Sequence, residues 1–246
     1  MTRLLVDGDL VVYRIAASLE TSINWGDDLW TVHVDAQEGY VAFQDYCNGV
    51  RDKVGADTIE VCFSDSKANF RKTISESYKA NRAAVRRPIG LRPIINKVKE
   101  SYMTYETKTL EADDLLGLMH TKHPTETIML SDDKDMFTIP GFLFAKGELH
   151  FTSPEQAHKN WMCQTLVGDS ADNYPGCPTV GIKTALKLLD GLTKLDDMWE
   201  VVLATYEKKG KTYADAVENA RLARILQNGE FDFKTGDVKL WIPKTA

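Results

Sequence analysis

The sequence predicts an α/β fold in which helices flank a central, mostly parallel sheet. Three short apolar runs at residues 4–6, 59–63 and 127–130 have the composition of strands that are buried on both faces. Helical patterns lie between these runs, and strands that alternate with helices favour a parallel sheet. The chain has 246 residues, of which 43% are hydrophobic, and this is enough for one large domain or a core with a small appendage.

Two further strand patterns and a final one complete the predicted strands. Polar and apolar residues alternate at 30–34, which predicts an edge strand. The segments 142–144 and 149–151 flank Lys146 and Gly147, which predicts a hairpin. A last strand is predicted at residues 238–241.

Helical periodicity is found at residues 36–54, 110–120 and 154–166. Ser153 is the predicted N-cap of the last of these, with Pro154 at its first position. Residues 83–93 contain two prolines and a glycine that break both periods, so a basic, mobile excursion is predicted there. After Ser153 the pattern is helical up to the final strand.

Composition excludes several protein classes. No apolar run approaches the ~18 residues that would cross a bilayer, and the N-terminus lacks the pattern of a signal peptide. The four cysteines are far apart and form no Cys-x-x-Cys pair, which argues against a disulfide framework and a thiolate zinc site. We therefore expect a cytoplasmic protein with no membrane partner.

Charge is segregated along the chain, although the net charge is only −6. Residues 67–108 contain eleven basic and three acidic side chains, whereas residues 109–140 contain seven acidic side chains and two lysines. This order suggests that one segment grips a polyanion and the next holds metal cations. Charge alone leaves open the alternative that both segments are solvated faces.

Carboxylates follow three of the predicted strands at the point where each strand ends. Asp7 ends the first, Asp65 follows the second, and Asp133 and Asp135 follow the third. Ligand sites of open α/β sheets form at these strand ends, so the side chains are expected to converge. Acids at the start of the 110–120 helix are expected to reach the same crevice, and they are Glu111, Asp113 and Asp114.

Crowded carboxylates without clustered histidines or cysteines predict a site for hard divalent cations, Mg²⁺ or Mn²⁺. Such clusters occur in enzymes that cleave phosphodiesters with two metal ions. A turn or cap role is the alternative for any single aspartate. Asp9 and Asp132 are assigned such supporting or capping roles.

Five motifs in a fixed order resemble those of the 5′-nuclease family, which includes flap endonucleases, 5′→3′ exonucleases and the nuclease domain of bacterial DNA polymerase I. They are Val6-Asp7-Gly8; Phe70-Arg71 with Tyr78-Lys79-Ala80-Asn81-Arg82; Glu111-Ala112-Asp113-Asp114; Asp133-Lys134-Asp135; and Gly168-Asp169-Ser170-Ala171-Asp172-Asn173-Tyr174-Pro175-Gly176. The tail, with Leu240-Trp241, is most similar to the stand-alone bacteriophage exonucleases.

The resemblance implies a PIN-like catalytic core over residues 1–152 and a mainly helical DNA-binding region over 153–246 that packs on it. It also implies two Mg²⁺ or Mn²⁺ ions, with Asp113 placed to bridge them and Asp114 supporting either one. The first ion is assigned to Asp7, Asp65, Glu111 and Asp113, and the second to Asp133, Asp135, Asp169 and Asp172.

A helical arch over the metals, at about residues 67–108, is a further implication of the resemblance. Lys79 and Arg82, one helical turn apart, are expected to contact the scissile phosphate, and Tyr78 to stack on a terminal base. The alternative is a solvated basic helix. The other DNA contacts expected in this segment are Arg71, Lys72, Arg86 and Arg87.

Residues 166–190 resemble the helix–three-turn–helix of the family, in which a K⁺ ion binds together with duplex DNA. Gly176, Gly181 and Lys183 are the expected DNA contacts, because glycines let backbone N–H groups approach a phosphate. Thr179 stands where the family usually has glycine. A plain helix–turn–helix connection is the alternative.

The implied function is metal-dependent hydrolysis of DNA near 5′ ends, flaps or nicks, with 5′-phosphate products and removal of RNA from RNA–DNA hybrids. A monomer is expected, in the host cytoplasm if the chain is encoded by a phage. Two alternatives remain at this point. One is a PIN-type ribonuclease, which the predicted arch and hairpin disfavour. The other is a nonhydrolytic branched-DNA-binding module, which gains nothing from carboxylates near phosphates.

Overall fold

A six-stranded sheet lies at the centre of the computed structural model, which describes residues 1–244. The strands in these residues are β1 (Arg3–Asp7), β2 (Thr21–Asn24), β3 (Trp30–His33), β4 (Thr58–Phe63), β5 (Met103–Glu106), β6 (Thr127–Leu130), β7 (Gly141–Ala145), β8 (Glu148–Thr152), β9 (Phe231–Asp232) and β10 (Asp237–Val238). The central sheet has the order β5-β4-β1-β6-β7-β8. Its first five strands are parallel, and β8 returns antiparallel to β7.

The three predicted apolar runs are the middle of this sheet, and the predicted hairpin joins β7 to β8. Leu4, Leu5 and Val6 of β1 have no exposed surface, because helices cover both faces of the sheet. Leu5 packs in one hydrophobic cluster, and Leu4 and Val6 pack in another on the opposite face. The predictions for these strands are confirmed.

Two strand predictions are wrong in detail. Residues 30–34 do not form an edge of the central sheet, because β3 pairs with β2 in a separate two-stranded sheet whose residues are all exposed. The alternation there belongs to a hairpin with solvent on both faces. At the C-terminal end, β10 stops at Val238, and Trp241 packs its ring against Trp161 and Trp199 rather than in a strand.

Several helices begin where a side chain accepts a hydrogen bond from the first turn. The helices are α1 (Gly8–Ser18), α2 (Ala36–Val54), α3 (Arg71–Ile74), α4 (Leu91–Ser101), α5 (Ala112–Lys122), α6 (Pro154–Val167), α7 (Ile182–Leu188), α8 (Leu195–Lys208) and α9 (Tyr213–Leu222), with 3-10 helices at Ala80–Ala84 and Lys134–Thr138. α2 has the predicted bounds, and Ser153 caps α6 as predicted. α5 begins later than predicted because Glu111 is its N-cap, in a capping box with Asp114.

The expected arch over residues 67–108 is shorter and less helical than predicted. α4 buries Ile94 and Val98 in the core, and β5 pairs with β4, so both elements belong to the catalytic core. Pro93 lies in the first turn of α4, where a missing N–H is tolerated, and this is why the break predicted at 83–93 ends at Leu91. The segment from about residue 75 to 90 lies outside the central sheet and its flanking helices, and most of its residues are exposed, although Tyr78 is buried.

The C-terminal helices α6 to α9 pack around their own hydrophobic cluster. Trp161 and Tyr206 are its largest fully buried side chains, and Ala185 of α7 and Ala220 of α9 complete it. The Trp161 indole N–H donates to the Ala220 carbonyl at 2.9 Å, which ties α6 to α9. No helix within residues 1–244 has the length and apolar character needed to cross a membrane.

Candidate active site

The carboxylates predicted to converge lie where β1, β6 and α5 meet. Asp7 ends β1 and caps α1, accepting hydrogen bonds from the Leu10 N–H at 3.0 Å and the Ser131 hydroxyl at 2.8 Å. Burial raises the pKa of Asp7, and the charges of Asp9 and Asp133 raise it further. Burial also raises the pKa of Asp113, with the charges of Asp7 and Asp133 adding to the shift. Asp7, Asp113 and Asp133 are therefore near enough for their charges to act on one another.

A second group of carboxylates adjoins the first. Burial raises the pKa of Asp135 to about 7, and the charge of Asp133 contributes to the rise. Asp169 pairs with Lys134 at 2.8 Å. Asp135 and Asp172 line the same cavity as Glu111 and Asp113. Four carboxylates that lie up to 61 positions apart in the chain therefore line one cavity. Of the strand-end acids, Asp135 lines this cavity, whereas Asp7, Asp65 and Asp133 do not.

Glu111 is the most heavily contacted carboxylate of the cavity. Its Oε2 accepts from the Arg71 guanidinium and from the Tyr78 hydroxyl, each at 3.0 Å, and its Oε1 pairs with Lys79. Burial alone would raise its pKa, but the charges of Arg71 and Lys79 lower the pKa of Glu111 to about 2. Glu111 is therefore ionised at neutral pH.

Cationic side chains from the 75–90 segment lie directly over these carboxylates. Lys79 contacts Glu111 and lies 3.5 Å from Asp172, and Arg82 donates to Asp172 at 2.5 Å. The prediction that the two side chains share a helix is wrong, because Lys79 has left-handed backbone (φ 55°) and precedes the 3-10 helix. The Lys79 N–H donates to the Asp172 carbonyl at 2.9 Å, which anchors the segment beside the cavity.

The donor set fits hard divalent cations, although protein cations now occupy part of it. In the described part of the chain, no three histidine, cysteine or acidic side chains converge on a single point as metal ligands do. Lys79 and Arg71 instead neutralise Glu111, while Asp7, Asp113 and Asp135 keep raised pKa values. Buried oxygen ligands that repel one another are the arrangement that a divalent cation stabilises.

Models of known protein families account for nearly the whole chain. The 5′-3′ exonuclease N-terminal resolvase-like domain matches residues 2–145, and the 5′-3′ exonuclease C-terminal SAM fold matches residues 155–243. The chain belongs to the 5′-3′ exonuclease family. The predicted fold class and the predicted membership of a 5′-nuclease family are thereby confirmed, and the chain is a nuclease. This membership leaves no support for a PIN-type ribonuclease or a nonhydrolytic DNA-binding module.

Relatives of this 5′-3′ exonuclease include bacteriophage enzymes of similar length. The exonuclease of Escherichia phage T7 is 26% identical over 98% of this chain and 93% of its own length. The exodeoxyribonuclease of Enterobacteria phage T3 is 24% identical with the same coverage. A structure of the phage T5 5′-exonuclease with bound zinc shares the fold, with a TM-score of 0.67 at 16% identity, over 91% of this chain and 89% of that one.

Two of the expected ligands of the exonuclease have other roles in the structure. Asp114 is fully buried, accepts two bonds from Arg71 at 2.7 and 2.8 Å, and accepts the Leu226 N–H at 3.2 Å, so it is not free to ligate a metal ion directly. It also accepts the Glu111 N–H at 3.2 Å, so any support that it gives to a metal site acts through Glu111. Asp65 accepts the N–H groups of Lys67 and Thr109, both at 2.9 Å, which lowers its pKa. These bonds brace two loops, and Asp65 is not among the side chains that line the cavity.

Two expected DNA contacts of the exonuclease are buried. Arg71 is only 3% exposed, and each of its five N–H donors is used within the protein. Tyr78 is 2% exposed, with its hydroxyl between Glu111 and Asp172, so it has no free face for a base. The predictions that Arg71 grips DNA and that Tyr78 stacks on a base are therefore wrong. Their sequence motif indicated importance, but not burial.

The remaining expected DNA contacts differ in how accessible they are. Lys72 and Arg87 are exposed, and Arg86 is exposed but paired with Glu20 at 2.5 Å. Gly181 and Lys183 are exposed at the start of α7.

Gly176 cannot offer its N–H to a phosphate as predicted, because it is buried and donates to the Asn219 side chain at 2.9 Å. Thr179 has a φ of 64°, so the turn keeps the left-handed backbone for which glycine is usually chosen.

Three residues of the site were not singled out from the sequence. Gln164 of α6 and Tyr174 line the cavity together with the carboxylates. Asn81 donates to the Ser170 carbonyl at 3.0 Å and so holds the 75–90 segment against the 169–174 loop. Asn81 and Tyr174 each lie within a motif quoted above, and that was the signal that could have identified them. Gln164 lies in no such motif, and its place in the cavity depends on the tertiary packing.

Proposed function

We propose that this exonuclease is a divalent-metal-dependent enzyme that hydrolyses DNA phosphodiesters near 5′ ends, flaps or nicks and leaves 5′ phosphates. The observation that carries the proposal is a single cavity lined by Glu111, Asp113, Asp135 and Asp172 with Lys79 against it. A phosphodiester-cleaving site needs both features, because cations must hold the phosphate and stabilise the charge that develops on it.

Two groups of carboxylates would hold the metal ions, Mg²⁺ or Mn²⁺. The first group is Asp7, Glu111 and Asp113, and the second is Asp133, Asp135, Asp169 and Asp172. Ions bound there supply a water of lowered pKa and neutralise charge on the phosphate. Their binding would also offset the burial of charge and the mutual repulsion that together raise the pKa values of Asp7 and Asp135.

Lys79 and Arg82 would bind the scissile phosphate. Both lie beside Asp172 in the structure, so each reaches the phosphate only after it exchanges a carboxylate for it. Charge-assisted contacts from Lys79 then strengthen as negative charge develops in the transition state. Lys72, Arg87, Gly181 and Lys183 are exposed and would contact the DNA backbone outside the cavity.

Support for DNA as the substrate comes from the relatives. The phage T3 relative is an exodeoxyribonuclease, and the phage T5 flap endonuclease has a structure with DNA and metal ions. Within the same proposal, the enzyme works as a monomer in the host cytoplasm, accepts RNA–DNA hybrids, and binds K⁺ at the turn that contains Thr179. The left-handed backbone of Thr179 supports a family-like turn there.

Product mapping tests the proposal. A 5′-flap substrate and a blunt duplex, each labelled at either end, are incubated with Mg²⁺, with Mn²⁺ and with a chelator, beside an RNA of the same sequence. We expect metal-dependent products with 5′ phosphates that start at the 5′ end or the flap. Cleavage in the chelator, or cleavage of the RNA alone, contradicts the proposal.

A further inference from the structure

Two buried side chains, Arg71 and Tyr78, line the cavity together with the carboxylates. We propose that Arg71 and Tyr78 are positioning residues that hold Glu111 and Asp172 in place for the metal ions. This inference rests on the proposed function, because it assigns those two carboxylates to the metal sites. It differs from a DNA-binding role, for which neither side chain has the exposure.

Arg71 holds the side chain of Glu111 directly and the backbone of Glu111 through Asp114. The guanidinium bonds Glu111 Oε2 at 3.0 Å, and it holds Asp114 with two bonds at 2.7 and 2.8 Å. Asp114 in turn accepts the Glu111 N–H at 3.2 Å. A planar fork can hold two carboxylates in one fixed geometry, which the ammonium group of a lysine cannot reproduce.

The same guanidinium ties the cavity to the C-terminal helices. Arg71 donates to the carbonyl of Leu222 at 3.2 Å and to that of Arg224 at 2.6 Å, at the end of α9. Asp114, which Arg71 holds, accepts a hydrogen bond from the Leu226 N–H at 3.2 Å. The position of Glu111 therefore depends on the docking of the C-terminal region against α5.

Tyr78 links the two groups of carboxylates. Its hydroxyl lies 3.0 Å from Glu111 Oε2 and 2.9 Å from Asp172 Oδ2, and these belong to the first and the second metal site of the proposed function. Since a phenol has one proton, the two carboxylates share it. With Oε2 of Glu111 held by Arg71 and Tyr78, Oε1 is the oxygen left to face a cation, and Lys79 occupies it now.

Metal affinity measured without DNA separates positioning from DNA contact. Mn²⁺ is titrated into the full chain and followed by electron paramagnetic resonance, for the wild type, Arg71→Lys, Tyr78→Phe and Lys72→Ala. DNA affinity is measured on the same proteins in chelator by fluorescence anisotropy. Lys72 is the matched control, because it is the exposed basic neighbour of Arg71 on α3.

We expect Arg71→Lys to weaken Mn²⁺ binding by about tenfold or more, and Tyr78→Phe by a smaller factor, since residues that orient metal ligands have effects of this size. DNA affinity in chelator stays at the wild-type level for both, and saturating Mn²⁺ restores much of kcat. Lys72→Ala shows the opposite pattern, with weaker DNA binding and unchanged Mn²⁺ binding.

Wild-type Mn²⁺ affinity in both variants, or a loss confined to DNA affinity, overturns the inference while leaving the proposed function intact. A wild-type protein that binds no Mn²⁺ contradicts the proposed function instead. Should Arg71→Lys fail to fold, as judged by circular dichroism, Tyr78→Phe removes only one hydroxyl and decides the question alone.

Discussion

Neutralising Asp135 is expected to stabilise the metal-free protein, although it should abolish much of the response to metal. Burial and the charge of Asp133 raise the pKa of Asp135 from its ordinary value of 3.8 to about 7. Native Asp135 therefore holds its proton more tightly than unfolded Asp135. Its ionisation destabilises the native state fully above pH 7, and this penalty declines as the pH falls through 7 towards 3.8.

The shift sets the size of the effect. The difference between 7 and 3.8 corresponds to about 4 kcal/mol at pH 8. Because Asp135 is partly exposed, solvent screening reduces the expected gain of Asp135→Asn to about 2 kcal/mol. At pH 5, the difference in unfolding free energy between the variant and the wild type should be less than half of the difference at pH 8.

Urea unfolding followed by circular dichroism measures this difference, in chelator at pH 8 and pH 5 and again with 10 mM Mg²⁺. Mg²⁺ should stabilise the wild type much more than the variant, because the variant has lost one ligand. Asp132→Asn is the control. Asp132 is a near neighbour of Asp135 in the chain, but it pairs with Arg14 and accepts the Lys146 N–H, so its loss should not stabilise the protein.

Two results would refute this reasoning. One is an Asp135→Asn protein that is less stable than the wild type in chelator at pH 8. The other is an equal gain from Mg²⁺ in the wild type and in Asp135→Asn, since the cavity would then not be where the metal binds.

Three further predictions follow from single residues. Lys79→Ala should lower kcat by about a hundredfold or more with little change in DNA affinity, measured by single-turnover cleavage and anisotropy; parallel losses would indicate simple docking. Burial lowers the pKa of His120 to about 4, so as the pH falls below 6.5 the unfolded state takes up the proton first and the wild type loses stability. In His120→Asn this loss between pH 6.5 and 4 should be smaller by up to about 3 kcal/mol, and an unchanged pH profile of urea unfolding contradicts this. Gly176→Ala should lose about 2–4 kcal/mol in thermal unfolding, because φ is +65° and a Cβ would lie 2.3 Å from the Gly168 nitrogen, whereas Gly181→Ala, in open space, should lose under about 1 kcal/mol; equal losses would refute the packing argument.

The central strands and the convergence of the acids could be predicted from sequence because both depend on patterns within a few residues. The run that contains Leu4, Leu5 and Val6 indicates a strand covered on both faces, and topology then brings the following Asp7 to the ligand-binding edge. The hairpin β2–β3 was misplaced because alternation does not show whether either face is covered.

The roles of individual charged residues were harder to predict, since type and spacing do not determine burial. Arg71, Tyr78 and Asp114 lie in motifs together with exposed or cavity-lining residues, and only the packing of α9 against α3 shows that they form a buried network. Asp65 follows a strand, as Asp7 does, yet its two oxygens accept the backbone N–H groups of Lys67 in its own loop and of Thr109 in the loop before α5.

Anomalous diffraction from crystals soaked in Mn²⁺ tests the account most directly, because it locates the ions themselves. We expect two peaks among these carboxylates, the first between Asp7 and the cavity residue Asp113, and the second in the cavity against Asp135 and Asp172. The account would be contradicted if the enzyme cleaves DNA with Mn²⁺ but its crystals show peaks elsewhere on the protein and none in this cavity.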